Sequence, residues 1–183
     1  MEPKIILLLS GKRKSGKDYI AEKLHNSLED KAEILRISEP IKSHYARYLN
    51  LNLDELLSSN SYKETYRQEM IIWSDEVRKK DPGYFCNIAC SKGNYTYIWI
   101  FSDIRRKTDI HWFHANYPDK IKTVRIFANQ DVRIARGWVY TEGVDNVTSE
   151  CDLDDWNDWD LQVNNNDEES LKNSIDKILN LLI

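Results

Sequence analysis

A buried strand that runs directly into a glycine-bracketed basic loop leaves few folds open, and Ile5 to Asp18, IILLLSGKRKSGKD, reads as that arrangement. Gly11 and Gly16-Lys17 enclose Lys12, Arg13, Lys14 and Ser15 in the spacing G-x-x-x-x-G-K, and a run of five aliphatics ends two residues before the first glycine. Glycine lets the backbone turn tightly and aim N–H groups at phosphate oxygens. The following helix contributes the positive end of its dipole, and a lysine placed like Lys17 reaches the outer phosphates of a nucleotide. The next position is normally Ser or Thr, whose hydroxyl binds magnesium; here it is Asp18, whose carboxylate suits the ion or its water. A glycine-rich turn that binds nothing has the same spacing. The apolar strand before the loop and the amphipathic helix after it favour phosphate binding.

Beyond the loop, strands alternate with helices. Tyr19, Ile20, Leu24 and Leu28 keep helical spacing, and Ala32 to Ser38 alternates as a strand. Glu39-Pro40 opens a helix to Leu49, since proline is tolerated in a first turn. After a short acidic segment, Leu53 to Leu57, the spacing of Ser61 and Glu64 predicts a capping box. The long helix it opens has Tyr62, Tyr66, Met70, Trp73 and Val77 on its apolar face, with Lys63, Arg67, Arg78 and Lys79 elsewhere on its surface. Asp81-Pro82-Gly83 stops it, and a short helix from Tyr84 to Cys90 follows. Further strands are expected at Tyr95 to Phe101, Thr123 to Phe127 and Trp159 to Val163. Further helices are expected at Lys107 to Tyr117, Asp131 to Val139 and from Asp167 onward, while Thr141 to Asp160 reads as an acid-rich loop able to move. This order predicts one α/β domain over 1–183 with a mostly parallel sheet covered on both faces, and ligands beyond the carboxyl ends of its strands.

Composition narrows the partners. With a net charge of −4, the chain has no general electrostatic support for a nucleic-acid role, so an anionic ligand must be held by local positive clusters. Three cysteines, without a CxxC pair, argue against a zinc site or disulfide framework. The N-terminal apolar run falls far short of the roughly 20 residues of a membrane span. The terminal Leu181-Leu182-Ile183 is no peroxisomal tripeptide. A cytosolic monomer acting on a small molecule is the expectation.

Phosphoryl transfer needs cationic groups for the migrating phosphate, magnesium and a lid that excludes water. Arg105 and Arg106, at the end of the third strand, suit a bidentate grip on phosphate or equally a surface turn. Asp103 suits magnesium support or the capping of a turn. Arg133 and Arg136 read as lid arginines or as solvated helix charges, and Arg78 has a second reading as a residue that complements a helix dipole. The acidic tract Glu150, Asp152, Asp154, Asp155, Asp158 and Asp160 lacks the glycine of a calcium loop and reads as a solvated turn. His111 and His114 lack a third metal ligand. Trp156 and Trp159 read as covers for core edges.

Taken together, SGKRKSGKD (10–18), YKETYR (62–67), DPGYFC (81–86), SDIRRKTDIHWF (102–113), RGWVYTEGVDN (136–146) and SECDLDDWNDWD (149–160) resemble the animal-type phosphomevalonate kinases, a P-loop kinase family of the isoprenoid pathway. The resemblance makes Asp18 a family mark. It implies the nucleoside monophosphate kinase type of fold: a five-stranded parallel sheet flanked by helices, a substrate-binding region near 39–92 and a mobile lid near 130–147. It implies transfer of the γ-phosphoryl group of ATP, with magnesium, to (R)-5-phosphomevalonate in the mevalonate pathway. A nucleoside monophosphate kinase and a non-catalytic nucleotide-binding module remain the alternatives. By position, Lys12, Arg13, Lys14, Ser15, Gly16, Lys17 and Asp18 bind ATP, with Lys17 the chief catalytic group. Arg78, Arg105, Arg106, Arg133 and Asn165 hold substrate, and Arg136, Asn166 and Ser174 contact the nucleotide. Arg105, Arg106 and Arg136 also serve catalysis, and Asp18 and Asp103 serve the metal.

Overall fold

The central strand, β1 (Ile5–Ser10), is buried on both faces, with Ile6 to Leu9 fully inaccessible. A strand sandwiched between two helical layers must be apolar at every position, which is why the run does not alternate. A computed structural model describes residues 2–58, 61–94 and 96–183. In it β1 lies between β3 (Ile98–Phe101) and β4 (Ile121–Phe127), with β2 (Ala32–Leu35) and β5 (Leu161–Asn164) outermost. The order is β2-β3-β1-β4-β5 and every pairing is parallel, in the register Leu7–Ile100 and Leu8–Thr123.

The two faces of β1 define two cores. Leu7 and Leu9 pack with Ile20 and Leu24 of α1 (Lys17–Leu28) and Ile178 of α9 (Glu168–Leu181). Ile6 and Leu8 pack with Phe85 of α5 (Tyr84–Ser91) and Phe113 of α6 (Lys107–Asn116). A smaller third core of Tyr45, Leu56 and Met70 joins α2 (Ser38–Leu49), α3 (Leu53–Leu57) and α4 (Ser61–Lys80). Trp156 and Trp159 cover the edge of the second core, as their spacing suggested.

Several boundaries move. β2 stops at Leu35 because α2 already begins at Ser38, ahead of Pro40. The described part of the third strand starts at Ile98, and the expectation for Tyr95 lies outside the described residues. Ser61 is itself helical and does not cap: Glu64 instead accepts from Arg67 Nε at 2.6 Å. α7 (Gln130–Ala135) ends before Gly137, whose φ of +81° turns the chain. The acid-rich stretch is not an unanchored loop. It contains a helical turn, α8 (Thr148–Cys151), and is tied to the core by Asp160 on Thr123 (2.7 and 2.9 Å) and Asp152 on the Lys107 N–H (2.8 Å).

Candidate active site

The loop between β1 and α1 closes on itself through the Ser15 N–H, which donates to the Lys12 carbonyl at 3.0 Å. Its shape requires left-handed backbone at Lys14 (φ +62°) and Gly16 (φ +87°). A Cβ on Gly16 would stand 2.2 Å from Asn165 Nδ2, so glycine is needed for close approach as well as for conformation. Lys17 opens α1 with only 7% of its surface exposed, its Nζ 3.4 Å from Asp18 Oδ2. Burial, then the Arg105 charge, pulls its ammonium below the usual lysine range, and Asp18, Asp103 and Glu150 oppose that pull. The Ser15 Oγ is buried with no hydrogen-bond partner among the described residues. An orphan hydroxyl in the loop wall fits a phosphate oxygen, which supports this loop as a polyphosphate seat.

For magnesium, Asp18 offers a carboxylate beside Lys17 that is 57% exposed. Asp103 is more constrained: its two oxygens accept the N–H groups of Ile37 and Ser38, each at 2.9 Å, so it caps the start of α2. No group of three or more His, Cys, Asp or Glu able to hold a metal exists among the described residues. That fits magnesium, which takes one or two carboxylates plus phosphate oxygens and water. His111 packs edge-on against Trp156.

The structure brings the predicted arginines to one end of the sheet but pairs most of them with acids. Arg105 binds Glu150 and the Ser149 carbonyl (3.3 Å) through Nη1. Arg106, 5% exposed, binds Asp75 through Nη2 and leaves a buried Nη1 with no partner among the described residues. Arg78 lies deeper, paired with the buried Asp109 and stacked 5.4 Å from the Phe85 ring centroid, so it buttresses the site from behind. Lys12 meets Asp154 at 2.6 Å and Arg13 meets Asp145 at 2.7 Å. The acidic tract is therefore the partner of the basic loop and not a solvated turn.

Asn165 does not stand among the substrate arginines; its side chain donates to the Ser15 carbonyl at 2.9 Å, on the other flank of the loop. Arg136 sits on that flank too, donating to the carbonyls of Ser15 (3.2 Å) and Asn165 (2.8 Å). Arg133 donates to the Arg13 carbonyl at 2.8 Å and stacks 4.4 Å from the Trp138 centroid. Ser174 is 3% exposed and spends its hydroxyl on the Asn164 carbonyl at 2.6 Å, which makes it a brace for the β5–α9 turn. Asn166 accepts the Asn129 N–H at 2.8 Å and so joins that turn to the start of α7. Beside the loop, a cleft of about 440 Å³ is lined by Gly16, Tyr19, Arg136, Asn165, Asp167, Glu168 and Leu171.

A family model described as phosphomevalonate kinase matches residues 9–119. The chain is also 51% identical over 182 residues to a Drosophila melanogaster protein named phosphomevalonate kinase, covering 97% of this chain and 96% of that one. The chain belongs to the phosphomevalonate kinase family. The resemblance read from the sequence, and the kinase function that goes with it, are borne out. The fold agrees as well. A gluconokinase from Sinorhizobium meliloti aligns with a TM-score of 0.54 at 8% identity, over all of this chain and 97% of that one. An APS kinase from Mycobacterium tuberculosis, solved with AMPPNP and APS, aligns at 0.51 and 12% identity, over 100% and 99%. The elements thus form the P-loop kinase fold expected of them.

One part of the site was missed from sequence. Lys42 on α2 lies within electrostatic reach of Lys63 and Arg67 on α4, both lysines are within reach of Asp18, and Lys42 is also within reach of Asp103. Burial, then the nearby Lys42 and Arg67, pulls the Lys63 ammonium down to about 8. Burial likewise lowers Lys42, with Arg36 and Arg67 adding to it. The signal was present in the block YKETYR. Helical spacing, however, assigns Lys63 and Arg67 only to a polar face and cannot say that α2 brings a third cation opposite them.

Proposed function

We propose that the chain transfers the γ-phosphoryl group of ATP to the phosphate of (R)-5-phosphomevalonate, with ATP along the Gly16–Tyr19–Arg136 flank and the acceptor on the Lys42–Lys63–Arg67 flank. The observation that carries this reading is the buried Lys17 at the end of the phosphate loop, within electrostatic reach of Arg105, with Lys42 and Lys63 within reach of its neighbour Asp18, in a protein whose net charge is −4. Both reactants are polyanions, so their mutual repulsion is the chief obstacle to reaction. The acceptor oxygen is already anionic at neutral pH, so no strong general base is required. Lys17, Arg105 and Arg106 would neutralise charge that builds on the migrating group, the type of contribution that dominates such catalysis.

The nucleotide base fits the cleft between Tyr19 and Leu171. Asp18 is the carboxylate that would hold magnesium, which would add to the neutralisation of phosphate charge, and Asp103 holds α2 behind it. The region 39–92 is the acceptor-binding part and 130–147 the lid of a single domain, and the protein acts as a cytosolic monomer. No helix among the described residues is long and apolar enough to cross a membrane.

A coupled ADP-release assay with (R)-5-phosphomevalonate, mevalonate and UMP tests this. Turnover is expected with the first alone. Lys17→Met should lower kcat by roughly 10² or more while the fold is retained. Turnover with UMP and none with phosphomevalonate would sink the assignment.

A further inference from the structure

Glu150 is a buried carboxylate that joins three elements. Its side chain is 3% exposed, Oε1 accepts the Arg13 N–H at 2.5 Å, and Oε2 holds Arg105 Nη1. Its own carbonyl accepts Lys12 Nζ at 3.0 Å. A charge so deeply buried is tolerable only because both oxygens are satisfied. The segment that carries α8 has other anchors besides it. Asp145 on Arg13, Asp154 on Lys12 and Asp152 on the Lys107 N–H anchor the same segment independently.

The geometry of Arg105 gives the carboxylate its meaning. Both bonds that Arg105 makes among the described residues use Nη1, one to Glu150 and one to the Ser149 carbonyl. The Nε–Nη2 edge of the fork carries neither, and the side chain is 32% exposed. A guanidinium held by one corner, with its bidentate edge clear, has given up its rotamer freedom before any anion arrives. Pre-ordering of this kind lowers the barrier to a reaction whose geometry it enforces.

We propose that Glu150 is a positioning residue for the phosphoryl transfer, holding the Arg105 guanidinium and the Arg13 end of the phosphate loop in the arrangement that the migrating phosphate requires. It rests on the assignment of Arg105 and Lys17 to that phosphate.

The test is a double-mutant cycle with Glu150→Gln and Arg105→Met, read by kcat and by KM for each substrate. Glu150→Gln should reduce kcat roughly 10- to 100-fold, with KM for ATP little changed. In the Arg105→Met background the same substitution should cost far less, because its partner is already gone. Glu150→Asp, which keeps the charged partner for Arg105, should recover part of the kcat lost in Glu150→Gln; it also serves as the second variant if Glu150→Gln does not fold. Fully additive losses, or a Glu150→Asp kcat no higher than that of Glu150→Gln, would overturn the proposal. An Arg105→Met protein with undiminished kcat would instead refute the role of Arg105 on which it rests.

Discussion

Lys63 shows at the scale of one residue how burial is converted into chemistry. Its ammonium is pulled down to about 8 by burial and by the cations Lys42 and Arg67. Below that pH it is charged and attracts an anion; as pH rises through it, the proton and the attraction are lost together. The second ionisation of a phosphate monoester, near pH 6, is complete by then and does not obscure the effect. KM for phosphomevalonate is therefore expected to rise between pH 7 and pH 9. Lys63→Arg, which keeps its charge throughout, should flatten that rise. A KM equal at the two pH values in the unsubstituted protein would show that Lys63 does not hold the acceptor.

At the scale of an element, the segment after α7 is organised by one carboxylate. Asp145 has 4% of its side chain exposed, and it accepts from Trp138 Nε1 (3.0 Å), the Thr141 N–H (2.8 Å) and Arg13 Nη1 (2.7 Å). Trp138 in turn supports the Arg133 guanidinium that reaches the phosphate loop. Asp145→Ala leaves those donors without their acceptor, at a cost of about 1–3 kcal/mol. Because the segment contributes little to either sheet core, the loss should appear as local opening. Hydrogen exchange should quicken for amides of 136–147 while those of β1 and β4 keep their protection. Uniform acceleration across the sheet would mean that Asp145 supports the global fold instead.

For the whole molecule, charge is segregated: an acidic chain concentrates cations at the carboxyl end of its sheet, and the acids of 145–154 face them. A polyanionic ligand should therefore bind the folded state and not the unfolded one. At a concentration of magnesium-ATP about 100 times its Kd, the folded state gains about 2.7 kcal/mol. For a chain of this length that raises Tm by roughly 5–11 °C, measurable by differential scanning calorimetry. An unchanged Tm at saturating nucleotide would contradict the binding site.

Much of this was legible in the chain. Local patterns report local physics: five consecutive aliphatics require burial on both faces, G-x-x-x-x-G-K requires the turn that Gly16 makes, and Arg105 and Arg106 follow a strand and so arrive at its carboxyl end. These determined the sheet, the phosphate loop and the position of Lys17. Burial and pairing between distant segments were not legible. Periodicity assigned Lys63 to a surface and Glu150 to a solvated acidic run, yet one lies opposite Lys42 and the other meets Arg13 across 137 positions of sequence. The placement of Asn165 and Ser174 was not legible for the same reason, since which flank of the loop the β5–α9 turn reaches depends on β5 pairing with β4 at the sheet edge. Tertiary structure alone decided which acid neutralises which base, because Coulomb energy depends on distance in space and the sequence records only distance along the chain.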